Sequence, residues 1–197
     1  SGLIPHARSA KIHGAVDVFG IDPGKVRLDQ VGHVVGHLFQ NVEAQLFTDR
    51  VEDEVLLPVE FGAVGSCLDY HEARRFASAA MQAFGLEQLG THAVDTLSSG
   101  LKQRLALASM HVHGGGNGKR VLLLDEPFSF LDTSSARNLA ATLLRLKSEG
   151  LAIVVAEHRE DILAGLTDRA VRMNIAQPAG LDFGQSFSAG SPVVQCE

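Results

Sequence analysis

The 197 residues carry 17 Lys and Arg against 23 Asp and Glu, a formal net charge of −6, and 45% of them are apolar. That length suits one domain with a real core, or one domain plus a small subdomain. The acidic balance, without clustered Lys or Arg, argues against nucleic acid as a partner, and no uncharged apolar run approaches the ~18 residues of a bilayer span.

The chain opens with "SGLIPHARSA", which has neither the basic-then-apolar order nor the apolar run of a signal peptide. It reads as the interior of a longer polypeptide. "GAVDVFG" (14–20) alternates apolar and polar residues and predicts a half-buried strand, followed by turn chemistry in "IDPGK". "VGHLFQ" (35–40) predicts a second short strand. "TDRVEDEVLLPVEFG" opens like a helix, with Thr48 as its cap and acids in its first turn, and Pro58 is expected to end or bend it. "YHEARRFASAAMQAFG" predicts a helix closing at Gly85. Residues 45–96 thus read as a helical insert between stretches of strand character.

From there strands and helices alternate. "SSGLKQRLALASM" predicts a helix, "RVLLLDE" a strand, and "SSARNLAATLLRLKSEG" a helix stopped by Gly150. "LAIVVAE" predicts a strand, "REDILAGL" a short helix, and "DRAVRM" an edge strand. Continuously apolar strands between helices predict an α/β fold whose mostly parallel sheet is flanked by helices. Ligands of such sheets sit beyond the carboxyl ends of the strands, where Asp125, Glu126 and His158 fall.

The adjacent acids Asp125 and Glu126 follow four aliphatic residues and precede Pro127. Acids at a buried strand end usually have something to hold: the first can bind Mg²⁺, the second can polarise a water. "TLSSGLKQR" puts Ser98, Ser99 and Gly100 at a helix start, where free backbone N–H groups favour an anion, although an ordinary serine cap has the same appearance. Gln40 and His158, each a polar residue after a strand, are weak signals singly. "HGGGNGKR" (113–120) ends in Gly-Lys but precedes a strand, which marks a lengthened loop and not a phosphate loop. The pairs His33/His37 and His111/His113 lack a third ligand nearby in sequence for a metal. Cys67 and Cys196 match no metal or redox spacing, which points to a reducing compartment.

In order, "FQN", "LSSGLKQR", "VLLLDEP…LD" and "AEH" resemble the ATP-binding-cassette (ABC) ATPases over residues 1 to about 175. The insert sits where that family has its helical subdomain, and "GLIPH…FQNVEAQLFTDRVEDEV" is most similar to ATPase subunits of energy-coupling-factor importers for metal ions or vitamins. The resemblance implies a P-loop NTPase-like domain using ATP and Mg²⁺, peripheral at the cytoplasmic face of the cell membrane. Its partners would be a second cassette ATPase subunit and a transmembrane coupling subunit. It implies that Gln40 meets Mg²⁺ and the γ-phosphate side, that Asp125 is the Walker B aspartate and Glu126 the general base. Asp132 would lie at the dimer seam, and His158 would be the switch histidine. Ser98, Ser99 and Gly100 would touch ATP held by the opposite subunit.

Two departures stand out. Ser99 replaces the first glycine of the LSGGQ signature and Leu101 its glutamine, and no G-x-x-x-x-G-K-[ST] loop lies upstream of Gln40. The expectation is therefore an N-terminally truncated cassette domain that does not bind ATP tightly or hydrolyse it by itself, with "LAIVVAE" left unpaired on one side. The alternative expectation is a non-catalytic subunit that lends its signature to an active partner. A soluble cassette ATPase of DNA repair or translation fits less well, given the short insert and acidic balance.

Overall fold

A computed structural model of the protein describes residues 14–62, 69–112, 121–163, 165–171 and 194–196. Among these residues four parallel strands form one sheet in the order β1 (Val35–Leu38), β2 (Val121–Asp125), β3 (Ala152–Ala156) and β4 (Val194–Cys196). The helices are α1 (Leu28–Val34), α2 (Val51–Gly62), α3 (Tyr70–Ala83), α4 (Ser99–Val112), α5 (Thr133–Ser148) and α6 (Glu160–Leu163). The α/β class with a parallel sheet and flanking helices is the one the alternation predicts. Among the described residues no helix is long and apolar enough to cross a membrane.

The period-2 rule of a strand sorts the sheet's two faces. Leu38, Leu122, Leu124, Ile153 and Val155 are buried on one, while His37, Leu123, Val154 and Ala156 on the other are half-buried. Helix α5 lays Ala136, Leu139, Leu143 and Leu146 into the core at helical spacing. It ends before Gly150, whose φ of +94° supplies the left-handed turn that stops it. Helix α4 is central: Leu105, Ala106, Leu107 and Ala108 are consecutive and all buried, because α2 and α3 pack on it as well as on each other. Helix α3 buries Ala73, Ala77 and Ala80, a small-residue face suited to close packing. Its start is a reciprocal cap, with Asp69 accepting from the Glu72 N–H at 2.8 Å and Glu72 accepting from the Asp69 N–H at 3.3 Å.

Several expectations are corrected. "GAVDVFG" forms no strand; only an isolated Val18–Ile21 bridge is present, because the side chains of Asp17 and Asp22 hydrogen-bond Gly20 and Gly24 N–H groups and bend the chain. Thr48 does not cap α2: its hydroxyl lies within hydrogen-bond distance of two acceptors, Arg50 O at 2.9 Å and Glu54 Oε2 at 3.0 Å, and the helix begins at Val51. Pro58 does not end α2, which runs to Gly62 because Val51, Val55, Leu56 and Val59 keep their buried face. Residues 168–171 form no strand, and the rest of "DRAVRM" lies outside the described residues, as does "HGGGNGKR". The edge is taken by β4, which pairs with Val154–Ala156, so β3 has partners on both sides over its last three residues.

Candidate functional site

The site gathers at the carboxyl ends of β1, β2 and β3. After β1, Gln45 clamps the turning chain: its Oε1 accepts from Phe39 N–H and its Nε2 donates to His37 O, both at 2.7 Å. That fixes Gln40, whose Nε2 donates to Glu126 Oε2 at 2.8 Å across 86 residues of sequence. After β2, Glu126 stands at φ +44°, an uncommon conformation for a side chain of its size. Its backbone N–H continues the sheet pairing to Ala156 O at 2.8 Å, and its C=O accepts from Ser129 N–H at 3.1 Å. Ser129 Oγ also donates to Glu126 Oε2, at 3.0 Å.

The other carboxyl oxygen, Glu126 Oε1, lies 3.9 Å from His158 Nδ1, beyond hydrogen-bond range. That oxygen is the one placed to accept from a water or substrate. After β3, Glu157 is 2% exposed and lies 3.3 Å from His158 Nδ1, while the imidazole itself projects toward solvent. Asp125 closes β2 opposite Ala156 and is exposed. The structure therefore brings together the side chains of Gln40, Glu126 and His158, with Asp125 beside them at the end of β2.

The remaining expected residues form a second group at two helix starts. Ser98 precedes α4, with its Oγ accepting from Leu101 N–H at 3.4 Å and its C=O from Lys102 N–H at 2.9 Å. Ser99 is exposed in the first turn. Gly100 packs against α5: a Cβ there would lie 3.0 Å from Ser135 Oγ and 3.1 Å from Ser135 Cβ. Asp132 caps α5, its Oδ1 accepting from Ser134 and Ser135 N–H at 2.8 and 2.9 Å and its Oδ2 from Ser135 Oγ at 2.9 Å. Those bonds, led by the backbone N–H of Ser135, hold its carboxyl below the usual range. Gln103, buried in α4, joins the two groups by donating from Nε2 to Pro127 O at 2.7 Å.

Two members of this constellation, Ser129 and Glu157, are absent from the sequence reading. Glu157 follows an apolar strand just as Asp125 and Glu126 do, so the same reasoning applied to "VVAEH" finds it. Ser129 carries no such signal.

The residues suit a Mg²⁺ that arrives with phosphate oxygens. Among the described residues no cluster of three His, Cys, Asp or Glu could hold an ion alone. Mg²⁺ needs no such cage, since it commonly takes one or two carboxylates plus water and phosphate. The exposed Asp125 offers a carboxylate, and Gln40, whose amide nitrogen faces Glu126, keeps Oε1 as an acceptor.

The profile of the ABC transporter family matches residues 6–129, and the chain belongs to that family. An ABC transporter ATP-binding protein of Saccharolobus solfataricus is 30% identical over 171 residues, 87% of this chain and 31% of that protein. One from Streptomyces avermitilis is 32% identical over 195 residues, 98% of this chain and 33% of that protein. The chain thus spans about a third of the length of these relatives. CbiO1 of Clostridium perfringens, part of the ABC transporter complex cbiONQ, superposes with a TM-score of 0.59 at 32% identity, covering 68% of this chain and 51% of CbiO1. The ATP-binding cassette MJ0796, solved as a dimer bound to ADP and Pi, gives 0.62 at 24% identity over 76% of this chain and 65% of that one, a likeness of fold. The fold is that of the P-loop NTPase domains of ABC proteins.

Proposed function

We propose that the chain is the part of a cassette ATPase subunit that carries the attacking-water side of ATP hydrolysis, in an importer of the energy-coupling-factor type. The observation that carries this reading is the convergence of Gln40, Glu126 and His158 on one point beyond the sheet, with Glu126 Oε1 left to accept. Glu126 takes the proton from the attacking water as general base, and Gln40 and Ser129 hold its second oxygen in place. His158 orients water or a phosphate oxygen. Asp125 and Gln40 would hold Mg²⁺, which neutralises charge on the phosphates.

Ser98, Ser99 and Gly100 serve the nucleotide of a second cassette subunit in a head-to-tail pair, with Asp132 at the seam. Residues 45–96 form the helical subdomain that contacts a transmembrane coupling subunit at the cytoplasmic face of the membrane. A groove of about 450 Å³ lies beside the Lys102–Glu43 ion pair, lined by Leu46, Thr48, Asp49 and Asp95. Similarity to CbiO1, a component of a multisubunit transporter, supports the importer type. A non-catalytic subunit lending its signature in trans is the second reading, and it would use the same exposed start of α4 at Ser98 and Ser99.

The test is Glu126→Gln in a polypeptide of the relatives' full length. Turnover falls ~10²-fold or more while ATP binding persists, the scale of general-base loss. Near-normal turnover overturns the assignment.

A further inference from the structure

We infer that Glu157 is the positioning residue of this site, a buried clamp that sets where Glu126 and His158 stand relative to each other. It is among the most deeply buried acidic side chains described, 2% exposed at the carboxyl end of β3. Burying a carboxyl group is costly unless its oxygens are hydrogen-bonded, so its partners show what it is there to hold. Oε2 accepts from Phe128 N–H at 3.3 Å, inside the turn that begins at Glu126. Oε1 accepts from His158 N–H at 3.0 Å and Arg159 N–H at 3.1 Å, the first residues of the loop after β3. One side chain thus ties the two loops that carry the proposed base and the proposed switch histidine.

The same Oε1 also lies 3.3 Å from His158 Nδ1. An acceptor at Nδ1 favours the imidazole tautomer with its proton there, which leaves Nε2 as the nitrogen presented to solvent and ligand. Glu157 acts through His158 and through the turn of Glu126, whose φ of +44° needs such external support. Phe128, fully buried, anchors the same turn from its apolar side. A motion of the His158 loop is thereby transmitted to Glu126 without any bond between their side chains.

The inference rests on the roles proposed for Glu126 and His158, but its test does not need ATP turnover. The full chain is compared with Glu157→Ala and Glu157→Gln by ¹⁵N NMR of the His158 ring at about pH 8.5, where an ordinary imidazole is neutral. Amide exchange at Phe128 is measured in the same samples, with Ile153 in β3 as the control for global opening. Wild type holds the ring proton on Nδ1. Glu157→Ala moves it toward the mixture of free imidazole and speeds Phe128 exchange about tenfold relative to Ile153, the scale of one lost hydrogen bond. Gln fills the same volume, so it keeps the test usable if the Ala variant does not fold. With a single amide oxygen it loses one side of the clamp, and either the ring signal or the Phe128 exchange changes. An unchanged ring signal together with unchanged Phe128 exchange in the folded variants overturns the inference. So does acceleration of Phe128 and Ile153 by equal factors. Either failure leaves the general-base reading standing, and failure of Glu126→Gln leaves the clamp standing.

Discussion

Replacing Gly100 by alanine tests whether the starts of α4 and α5 form one packed unit. The added Cβ would lie 3.0 Å from Ser135 Oγ, 3.1 Å from Ser135 Cβ and 3.6 Å from Leu131 Cδ2. Ser135 cannot simply rotate away, because its hydroxyl and its backbone N–H are both held by Asp132 at 2.9 Å. Either that cap loosens or α4 shifts outward. Overpacking of this kind costs about 1–3 kcal/mol, and alanine returns roughly 0.5–1 kcal/mol because it suits a helix better than glycine. The net expectation is a loss near 1 kcal/mol, about 2–4 °C in melting temperature for a domain of this size. Urea unfolding followed by circular dichroism measures it. Ser135→Gly removes both close atoms, so the double variant should recover the loss, with a coupling of about 1 kcal/mol. A Gly100→Ala protein as stable as wild type, or a double variant without recovery, would refute this packing account.

Glu54 is 3% exposed, and its Oε2 accepts from the Phe47 and Thr48 N–H groups at 2.9 and 2.8 Å. Glu54→Ala should cost about 1–3 kcal/mol by taking a charged acceptor away from two part-buried backbone donors and should speed amide exchange at Thr48; unaltered exchange there would contradict it. Burial pushes the imidazoles of His37 and His111 below their ordinary pKa of 6.5. The unfolded chain therefore binds more protons just below that value, and stability should fall as pH drops through 6.5 and level off beneath the lowered folded pKa values. His37→Gln should flatten that fall in urea midpoints measured across this window, and an unchanged slope would count against a buried neutral His37.

How much of this was legible in the sequence differs by element. β2, β3, α4 and α5 stand out because long apolar periodicity and end signals such as Gly150 agree with the packing found. Helix α1 was missed: it is two turns long and buries Val31 alone, too little for a periodic signal. "GAVDVFG" has the alternation of a strand, but among the described residues it pairs only through the Val18–Ile21 bridge, and turn chemistry at Asp17 and Asp22 wins. The partner of β3 was illegible for another reason. Val194–Cys196 is separated from β3 by 37 residues, and no local pattern announces a pairing at that range. In the site, Asp125 and Glu126 stand out after an apolar strand, whereas Gln40 and His158 are weak signals singly and come from the order of the motifs; the hydrogen bonds that Gln40 and Glu126 make depend on how the turns close. Asp132 shows the limit: its local duty as a cap is fully described, and nothing in "FLDTSS" separates that duty from one at a subunit seam.

The most direct measurement is calorimetry with Mg-ATP on this chain alone and then mixed with a cassette subunit carrying an intact phosphate loop. Residues 1–197 contain no such loop, and backbone N–H groups and the lysine of that loop make most contacts to a bound triphosphate. Gln40, Asp125, Glu126 and His158 offer acidic or neutral groups instead, suited to the attacking water and the metal. The account predicts no micromolar binding by the chain alone. In the mixture it predicts saturable ATP-dependent association, served by Ser98, Ser99 and Gly100. Micromolar binding by the isolated chain, or a mixture that behaves as the partner does alone, would contradict it.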